Sequence, residues 1–275
     1  MIAKIKDLPS ISNVVVKLSQ LLNDENSSSA DFEKVIRHDP SLTTNLLRIA
    51  NSAFFGCPRE VRSVRQAITL MGVERVFEVA TSASLMKILP SKIPGYEVEA
   101  ESFWKHCISV AILGEKLTVE LGIKAPDLAY TAGLLHDIGK LAVGSFLGDQ
   151  LENMQNHIFN GPMTMLEVER ELLGTDHCEV GSALAQIWNL PPQIALAARW
   201  HHDPLQAPAG VDTTLLDLIH VANAASHMLG YGADVAELHR RLEQGVLKRM
   251  GLKVQRMEFV VSESLEQIQA LGEIF

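Results

Sequence analysis

The sequence places a histidine and an aspartate side by side in an otherwise apolar segment, Gly133-Leu134-Leu135-His136-Asp137-Ile138-Gly139-Lys140. Burying an imidazole and a carboxylate costs free energy unless the two groups are hydrogen-bonded, paired or coordinated to a metal. Imidazole nitrogen and carboxylate oxygen are also ligand atoms that zinc, iron, manganese and nickel accept. The pair alone favours a hydrogen-bonded core histidine over a metal site, because most buried polar groups are simply hydrogen-bonded.

Other histidines in the second part of the chain change that balance. They lie in the segments 103–106, 176–181, 199–204 and 219–223. Each also has an ordinary explanation. His201 and His202, for example, close an apolar helical segment, where the helix dipole favours cationic histidines without any metal.

The composition predicts a folded protein that binds neither nucleic acid nor a membrane. A chain of 275 residues with 47% hydrophobic residues can bury a substantial core. The net charge of -9 and the pI near 5.6 argue against binding to a phosphate backbone. Cys57, Cys107 and Cys178 are widely spaced and odd in number, which fits reduced thiols in the cytoplasm. Neither a signal peptide nor a membrane span is visible, so we expect a cytoplasmic location.

Apolar residues recur at three- and four-residue steps along most of the chain, and this spacing predicts helices. The first helical pattern runs from Leu8 onward, with apolar residues from Ile11 to Leu22, and Ser28 with Asp31 resembles a capping box that opens the second helix. Asp39 and Pro40 are typical of an N-cap followed by the first helical position. Gly72 separates two further predicted helices, 63–71 and 73–89.

The segment 90–96 contains two prolines and a glycine, and it predicts a linker between a subdomain at 1–95 and another at 96–275. No alternating strand or hairpin signal is present, so the predicted class is all-α, with two helical subdomains. The sequence of residues 254–261 is compatible with either a helix or a short extended segment, and the sequence of residues 264–271 is helix-like. The other helices predicted after the linker are 102–121, 126–146, 151–159, 163–173, 177–188, 191–201 and 213–229.

The order His106, His136-Asp137, His177, His201-His202, followed by a polar residue in a late helix, resembles the metal-ligand series of the HD superfamily of phosphohydrolases. The spacing is closest to that of the HD-GYP phosphodiesterases. The first part of the chain resembles the HDOD family, a bacterial signalling branch of that superfamily, and together the similarities cover residues 8–230. The segments that carry this second resemblance are Leu8-Pro9, 35–43, 47–53 and 64–72.

The resemblance implies that the second subdomain is an HD-type helical bundle holding one or two divalent ions of iron, manganese, zinc or nickel. It implies catalytic roles for Asp137, which would bridge two ions, and for Lys140, which would lie close enough to meet a phosphate. The implied metal ligands are His106, His136, Asp137, His177, His201, His202 and Asn223.

Two departures from the family pattern bear on activity. Asn223 stands where the superfamily has an aspartate, and a neutral amide donates less charge, so the affinity for a second ion should fall. His220 and His227 share the helical face of Asn223, so one of them could compensate. The glycine-tyrosine-proline signature expected after His201-His202 is absent.

Two functions from different classes remain open. As a regulatory module, the protein would contact kinases, response regulators or other signalling proteins. As an enzyme, it would be a metal-dependent phosphohydrolase acting on a phosphomonoester or a cyclic nucleotide. Asn223 favours the regulatory role, and the sequence leaves open whether the protein is an enzyme.

Overall fold

The computed structural model describes residues 11–52, 54–123, 128–150, 163–232 and 242–274, and most of these residues are helical. Two short strands, β1 (Lys92–Ile93) and β2 (Val98–Glu99), pair antiparallel, and short 3₁₀ turns cover Gly148–Gln150 and Pro204–Gln206. The prediction of an all-α fold is confirmed. The helices are α1 (Asn13–Leu22), α2 (Ser29–Arg37), α3 (Pro40–Ala50), α4 (Val64–Ile88), α5 (Ala100–Leu121), α6 (Ala129–Leu135), α7 (Gly139–Leu147), α8 (Met165–Leu173), α9 (His177–Ile187), α10 (Pro192–Trp200), α11 (Thr214–Met228), α12 (Gln244–Met250) and α13 (Val254–Gly272).

Helices α2, α3 and α4 begin where the local signals predict, whereas α1 begins at Asn13, later than the predicted pattern from Leu8, of which residues 8–10 lie outside the described part. Ser28 and Asp31 form the expected capping box at α2, and the Asp39 carboxylate accepts a hydrogen bond from the backbone N–H of Leu42 at the start of α3. Helix α4 is interrupted at Gly72, whose φ of 85° and ψ of 170° are not helical. Gly72 therefore separates two helical segments, as the sequence indicates.

Helix α5 is the centre of the bundle and packs against α6, α11 and α13. Its side chains are buried on several faces, which explains the largely apolar sequence from Cys107 to Leu113. Gly133 of α6 lies directly on α5, since a Cβ at that position would be 2.7 Å from Ala111 Cα. This close contact fixes the position of α6 and of the residues that follow it.

The predicted helix 126–146 is wrong in its described part, because α6 ends at Leu135 and α7 starts at Gly139. The intervening backbone makes tight i to i+3 hydrogen bonds, from Ile138 N to Leu135 O at 3.1 Å and from Lys140 N to Asp137 O at 2.9 Å. An apolar period continues through such a turn, so the sequence pattern does not reveal it. The break lies at His136 and Asp137, the pair with which the sequence is most distinctive.

The segment predicted as a linker contains a hairpin, residues 92–99, which the sequence did not indicate. Ile93, Tyr96 and Val98 are buried. The turn presses on α7, because a Cβ at Gly144 would be 2.5 Å from the carbonyl oxygen of Pro94. The division at residues 95 and 96 stays a prediction, while buried apolar side chains on both sides of it belong to one continuous core.

Near the C-terminus, residues 254–261 belong to one continuous helix, α13. They are therefore helical, and the extended alternative that the sequence left open does not apply. The predicted helix 151–159 lies outside the described residues. Among the helices that the structure describes, none combines the length and the apolar character required to span a bilayer.

Candidate metal centre

Five separate elements carry the candidate ligands. His106 lies in the middle of α5, His136 and Asp137 occupy the turn between α6 and α7, and His177 is the first residue of α9. His201 and His202 follow α10, and Asn223 is in α11. All of these residues are buried except His202, which is half-buried.

Four histidines surround the Asp137 carboxylate. The Nε2 atoms of His106 and His136 are 3.6 and 3.5 Å from Asp137 Oδ2, and those of His177 and His201 are 3.4 and 3.3 Å from Oδ1. The structure thus brings together residues up to 95 positions apart in the sequence. These five residues are called the Asp137 cluster below.

Backbone carbonyls set the tautomers of two of these histidines. His136 Nδ1 donates to the carbonyl of Gly133 at 2.7 Å, and His201 Nδ1 donates to the carbonyl of Ala198 at 2.9 Å. Because Nδ1 carries the proton in each neutral ring, Nε2 carries a lone pair directed towards Asp137. A metal ligand needs this arrangement.

His177 is oriented by a buried carboxylate that the sequence analysis missed. Glu169 is completely buried and accepts a hydrogen bond from His177 Nδ1 at 2.8 Å. A carboxylate behind a histidine fixes the ring and raises its basicity towards a metal. Glu169 follows Met165 by one helical turn on the buried face of α8, so a charged residue on an apolar face was the available signal.

The donor set fits a divalent metal ion. Two ligand atoms bound tetrahedrally at about 2.1 Å are roughly 3.4 Å apart, and the Nε2 atoms of His106 and His136 are separated by 3.2 Å. Within the described residues, Asp137 Oδ1 and His201 Nε2 are buried without a hydrogen-bond partner. Lone pairs facing a carboxylate repel each other unless a cation lies between them, and a bound metal would remove that repulsion.

Lys140 lies one turn beyond Asp137, and its Nζ is 2.7 Å from Asp137 Oδ2. Burial alone raises the pKa of Asp137, but the Lys140 ammonium and His136 outweigh it and hold that pKa well below its usual value. Burial also lowers the pKa of His136 to about 3, which keeps this imidazole neutral. The site therefore combines an ionised carboxylate with a neutral ligand histidine.

The remaining candidates are His202, which contacts the cluster, and Asn223 of α11. His202 Nε2 is 3.0 Å from His177 Nε2, a separation that two ligands of one ion could have. Asn223 is 3% exposed, and its Oδ1 has no hydrogen-bond partner in the part of the chain that the structure describes. That buried, unsatisfied oxygen is available as a ligand.

The suggestion that His220 compensates for Asn223 is wrong, because backbone groups occupy both of its ring nitrogens. Its Nδ1 donates to the carbonyl of His201 at 2.8 Å, and its Nε2 accepts from Glu243 N at 3.1 Å. The ring of His227 instead stacks on that of His106, with centroids 4.6 Å apart.

Cys178 is a further buried residue beside the cluster that the sequence analysis did not select. Its Sγ is 3.9 Å from His201 Nδ1, on the side of the ring that faces away from Asp137. Burial raises the pKa of this thiol, but His177 and His201 outweigh that effect and lower it to about 7. Cys178 also forms a group with His177, His201 and His202 whose possible ligand atoms all lie within 4.8 Å of one another, so it is a further candidate ligand.

A small cavity adjoins the cluster and is lined in part by apolar side chains. The hairpin and the start of α5 form an apolar wall, called the cover below, and the polar wall comes from the cluster and Lys140. The lining residues are Ile93, Tyr96, Val98, Phe103, His106, Asp137, Lys140 and Gly232.

A helical bundle that gathers histidines from separate helices around one buried aspartate is the arrangement expected of the HD superfamily. Residues 8–204 match the HDOD domain. The chain therefore belongs to the HDOD domain family.

Two sequence relatives extend this similarity. Over 206 residues, 74% of this chain, it is 24% identical to an uncharacterized protein of Treponema pallidum. Over 172 residues, 60% of this chain, it is 30% identical to Ribonuclease Y of Thermus thermophilus. The matches cover only 39% and 24% of the lengths of these two relatives.

Two solved structures share the fold over nearly the whole chain. An HDOD domain protein of unknown function from Geobacter sulfurreducens is 24% identical, with 99% of this chain and 95% of that chain covered and a TM-score of 0.80. A candidate phosphohydrolase from Shewanella amazonensis is 23% identical, with 99% and 96% covered and a TM-score of 0.79. At these identities the likeness establishes the fold alone.

Proposed function

We propose that this protein is a signal-transduction module of the HDOD type that holds a divalent metal ion in a closed centre and does not turn over a substrate. The observation that carries the proposal is the burial of the Asp137 cluster: none of its five residues is more than 2% exposed. The side chains are of the types that bind metals, whereas the described part of the chain leaves them almost no surface that a substrate could reach.

The burial of the cluster distinguishes this centre from a hydrolytic one. A phosphohydrolase must bring a phosphorus atom and a water molecule to the metal, which requires an open coordination position facing a cleft. Here the hairpin and Phe103 line the small cavity beside Asp137 and Lys140, and the cluster itself has almost no exposed surface. A closed site with all protein ligands is typical of metals that stabilise a structure.

His106, His136, Asp137, His177 and His201 would hold the metal, with His202 and Asn223 as further candidate ligands. A bound ion would neutralise the Asp137 charge and supply the positive centre that the imidazole lone pairs face. Lys140 keeps the carboxylate ionised, and Glu169 holds His177 in the ligand tautomer. Iron, manganese, zinc and nickel all accept this mixture of imidazole and carboxylate.

A metal-dependent phosphohydrolase is the second candidate, and Lys140 is the observation that favours it. A buried ammonium 2.7 Å from a candidate bridging carboxylate is suitably placed to stabilise charge on a phosphoryl group. The substrate would be a phosphomonoester or a cyclic nucleotide, and the cover would have to open to admit it.

For the regulatory role we propose protein partners in signalling, such as kinases and response regulators, in the cytoplasm. One of the relatives, Ribonuclease Y, is named for an activity on RNA. The net charge of -9 nevertheless favours partners other than nucleic acid. We expect no membrane partner.

The test combines metal analysis with an activity assay on the same preparation. We expect about one divalent ion per chain in protein purified without added metal, and no hydrolysis of bis(p-nitrophenyl) phosphate or p-nitrophenyl phosphate with manganese or iron. The control is His136→Ala, which should lose the ion. Hydrolysis by the wild type that disappears in His136→Ala would instead support the phosphohydrolase.

A further inference from the structure

Tyr96 connects the hairpin to the metal centre through one buried carboxylate. Its hydroxyl donates to Glu169 Oε1 at 2.7 Å, and Glu169 in turn accepts from His177 Nδ1 at 2.8 Å. Tyr96 is 4% exposed, and both Glu169 and His177 are completely buried. These three side chains form a continuous hydrogen-bonded path from the hairpin to the Asp137 cluster.

The position of Glu169 depends on both of its neighbours. Its Oε1 is shared between the Tyr96 hydroxyl and His177 Nδ1, while its Oε2 accepts from the backbone N–H of His177 at 2.6 Å. A buried carboxylate keeps its charge only when donors replace the water it has lost. Removing the Tyr96 donor therefore leaves Oε1 with one donor fewer and changes the orientation of the group that holds His177.

The hairpin also rests on the helix that starts beside Asp137. A Cβ at Gly95 would be 2.4 Å from Leu147 Cβ, and Gly95 has a φ of 76° that favours glycine. The Lys140 ammonium lies 5.5 Å from the centre of the Tyr96 ring. Hairpin and cluster thus share two connections, one through α7 and one through Glu169.

We infer that Tyr96 and Glu169 are positioning residues that couple metal binding at His177 to closure of the hairpin over the cavity. This inference rests on the proposed function and identifies the side chains through which metal binding would affect the hairpin. The hairpin, which joins the first four helices to the bundle, is the element whose opening would change.

The orientation of the His177 ring provides the physical link. A metal on Nε2 would fix this ring, whose Nδ1 donates to Glu169 at 2.8 Å and holds Oε1 towards the Tyr96 hydroxyl. Without a metal the ring lacks that bond and has more freedom to move, and the Glu169 carboxylate moves with it. The bond from Tyr96 to Glu169 then breaks more often, so the hairpin opens more often.

Coupling of this kind is reciprocal. If the metal favours the closed hairpin by some factor, a change that loosens the closed hairpin lowers the metal affinity by the same factor. The two effects are measured independently, one by hydrogen exchange of the hairpin amides and the other by metal titration.

The experiment compares Tyr96→Phe with Tyr130→Phe. Each variant removes one buried hydroxyl and keeps the ring, but the hydroxyl of Tyr130 pairs with Ser82 Oγ at 3.0 Å and not with the metal centre. Zinc affinity and hydrogen exchange of residues 92–99 are measured on the full chain, with zinc and with EDTA.

In the wild type we expect zinc to slow exchange of the hairpin amides about tenfold. Tyr96→Phe should lower zinc affinity about three- to tenfold and remove the zinc-dependent slowing, whereas Tyr130→Phe should change neither. Glu169→Gln is the second variant, and it should lose affinity about 10- to 100-fold.

Two results would overturn the inference while leaving the proposed function intact: hairpin exchange unaffected by zinc in a wild type that binds zinc, or equal behaviour of Tyr96→Phe and Tyr130→Phe. A wild type that binds no zinc and contains no other metal would overturn the proposed function and the coupling together. If Tyr96→Phe does not fold, the wild-type comparison with and without zinc still decides.

Discussion

Among the described residues, Asp137 supplies the carboxylate that faces the Nε2 atoms of its cluster, whereas Glu169 lies behind His177 at Nδ1. This arrangement limits how many ions the site can hold. The charge of Asp137 is already matched by the Lys140 ammonium at 2.7 Å. Two divalent ions would add four positive charges against this single direct carboxylate, a poor balance in a buried site. The charge count favours one ion over two, and the residue that could change it is Asn223.

The first prediction concerns Asn223→Asp. A carboxylate at this buried position should raise the metal content towards two ions per chain, because it adds the missing negative ligand. We also expect it to create or increase hydrolysis of bis(p-nitrophenyl) phosphate with manganese or iron. Elemental analysis and the phosphodiester assay measure the two effects.

His136→Ala in the Asn223→Asp background is the control, and it should abolish both gains by removing a direct ligand. Equal metal content and equal activity in the wild type and Asn223→Asp would show that Asn223 does not limit the site. In that case the burial of the cluster would be the main reason for low activity.

At the scale of elements, the turn between α6 and α7 depends on one glycine. A Cβ at Gly139 would lie 1.9 Å from the carbonyl oxygen of His177, the residue that opens α9. Helices α7 and α9 can approach this closely only because Gly139 has no side chain to separate them. The turn places His136 and Asp137, and the helix contact places His177 opposite them.

The second prediction follows from that contact. Gly139→Ala should lower the free energy of unfolding by about 3 kcal/mol, because the new methyl group forces α7 and α9 apart. It should also weaken metal binding, since His177 moves with α9. Urea unfolding and metal titration are the measurements.

Gly245→Ala is the matched control for this prediction. The nearest atom to a Cβ there is Leu205 Cδ1 at 3.1 Å, the end of a side chain that can rotate away. Its effect on stability should stay within about 1 kcal/mol. A similar loss of unfolding free energy in both variants would mean that the close contact between α7 and α9 is not the cause of the loss in Gly139→Ala.

The third prediction concerns the start of α3. Asp39 accepts from Leu42 N at 2.9 Å and pairs with Lys87 at 3.1 Å. At pH 7, Asp39→Ala should cost about 1 kcal/mol of stability through loss of the N-cap. The exposed Glu263→Ala should cost less than about 0.5 kcal/mol.

The Asp39 contribution should depend on pH in a defined direction. The hydrogen bond from Leu42 N outweighs partial burial, and with Lys87 it lowers the pKa of Asp39 below its unfolded value. Its stabilisation is therefore complete above the unfolded pKa near 4 and is lost as the pH falls through the lower folded pKa. Urea unfolding at pH 7 and below pH 4 measures this, and a constant difference would contradict it.

These elements also show what the sequence could predict. Ser28, Asp39-Pro40 and Gly72 act through their own backbone, so their signals are local and the predicted boundaries agree with the structure. The turn at His136 and the hairpin depend on contacts with α9 and α7, which no local pattern contains. Glu169 was missed for the same reason, because its role appears only when α8 lies beside His177.

At the scale of the whole molecule, contacts cross the predicted boundary at residue 95. Arg75 of α4 forms an ion pair with Glu115 of α5, and Tyr130 of α6 stacks on Phe54 with centroids 5.6 Å apart. Buried apolar residues from both parts belong to one core. The first four helices should therefore depend on the bundle for their stability.

The last prediction is that the whole chain unfolds in one thermal transition, and that the Tm of this transition is higher when metal is bound. A metal present at 100 times its dissociation constant adds about 2.7 kcal/mol to the stability of the folded state. For a chain of this size, its removal with EDTA should lower Tm by roughly 5 to 10 °C. Calorimetry should show one peak in both conditions, and hydrogen exchange in α1 to α3 should accelerate together with that in α5. His136→Ala, which lacks a ligand, should show no shift with EDTA. Two peaks, with only the upper one sensitive to EDTA, would contradict a shared core and would support independent subdomains at 1–95 and 96–275.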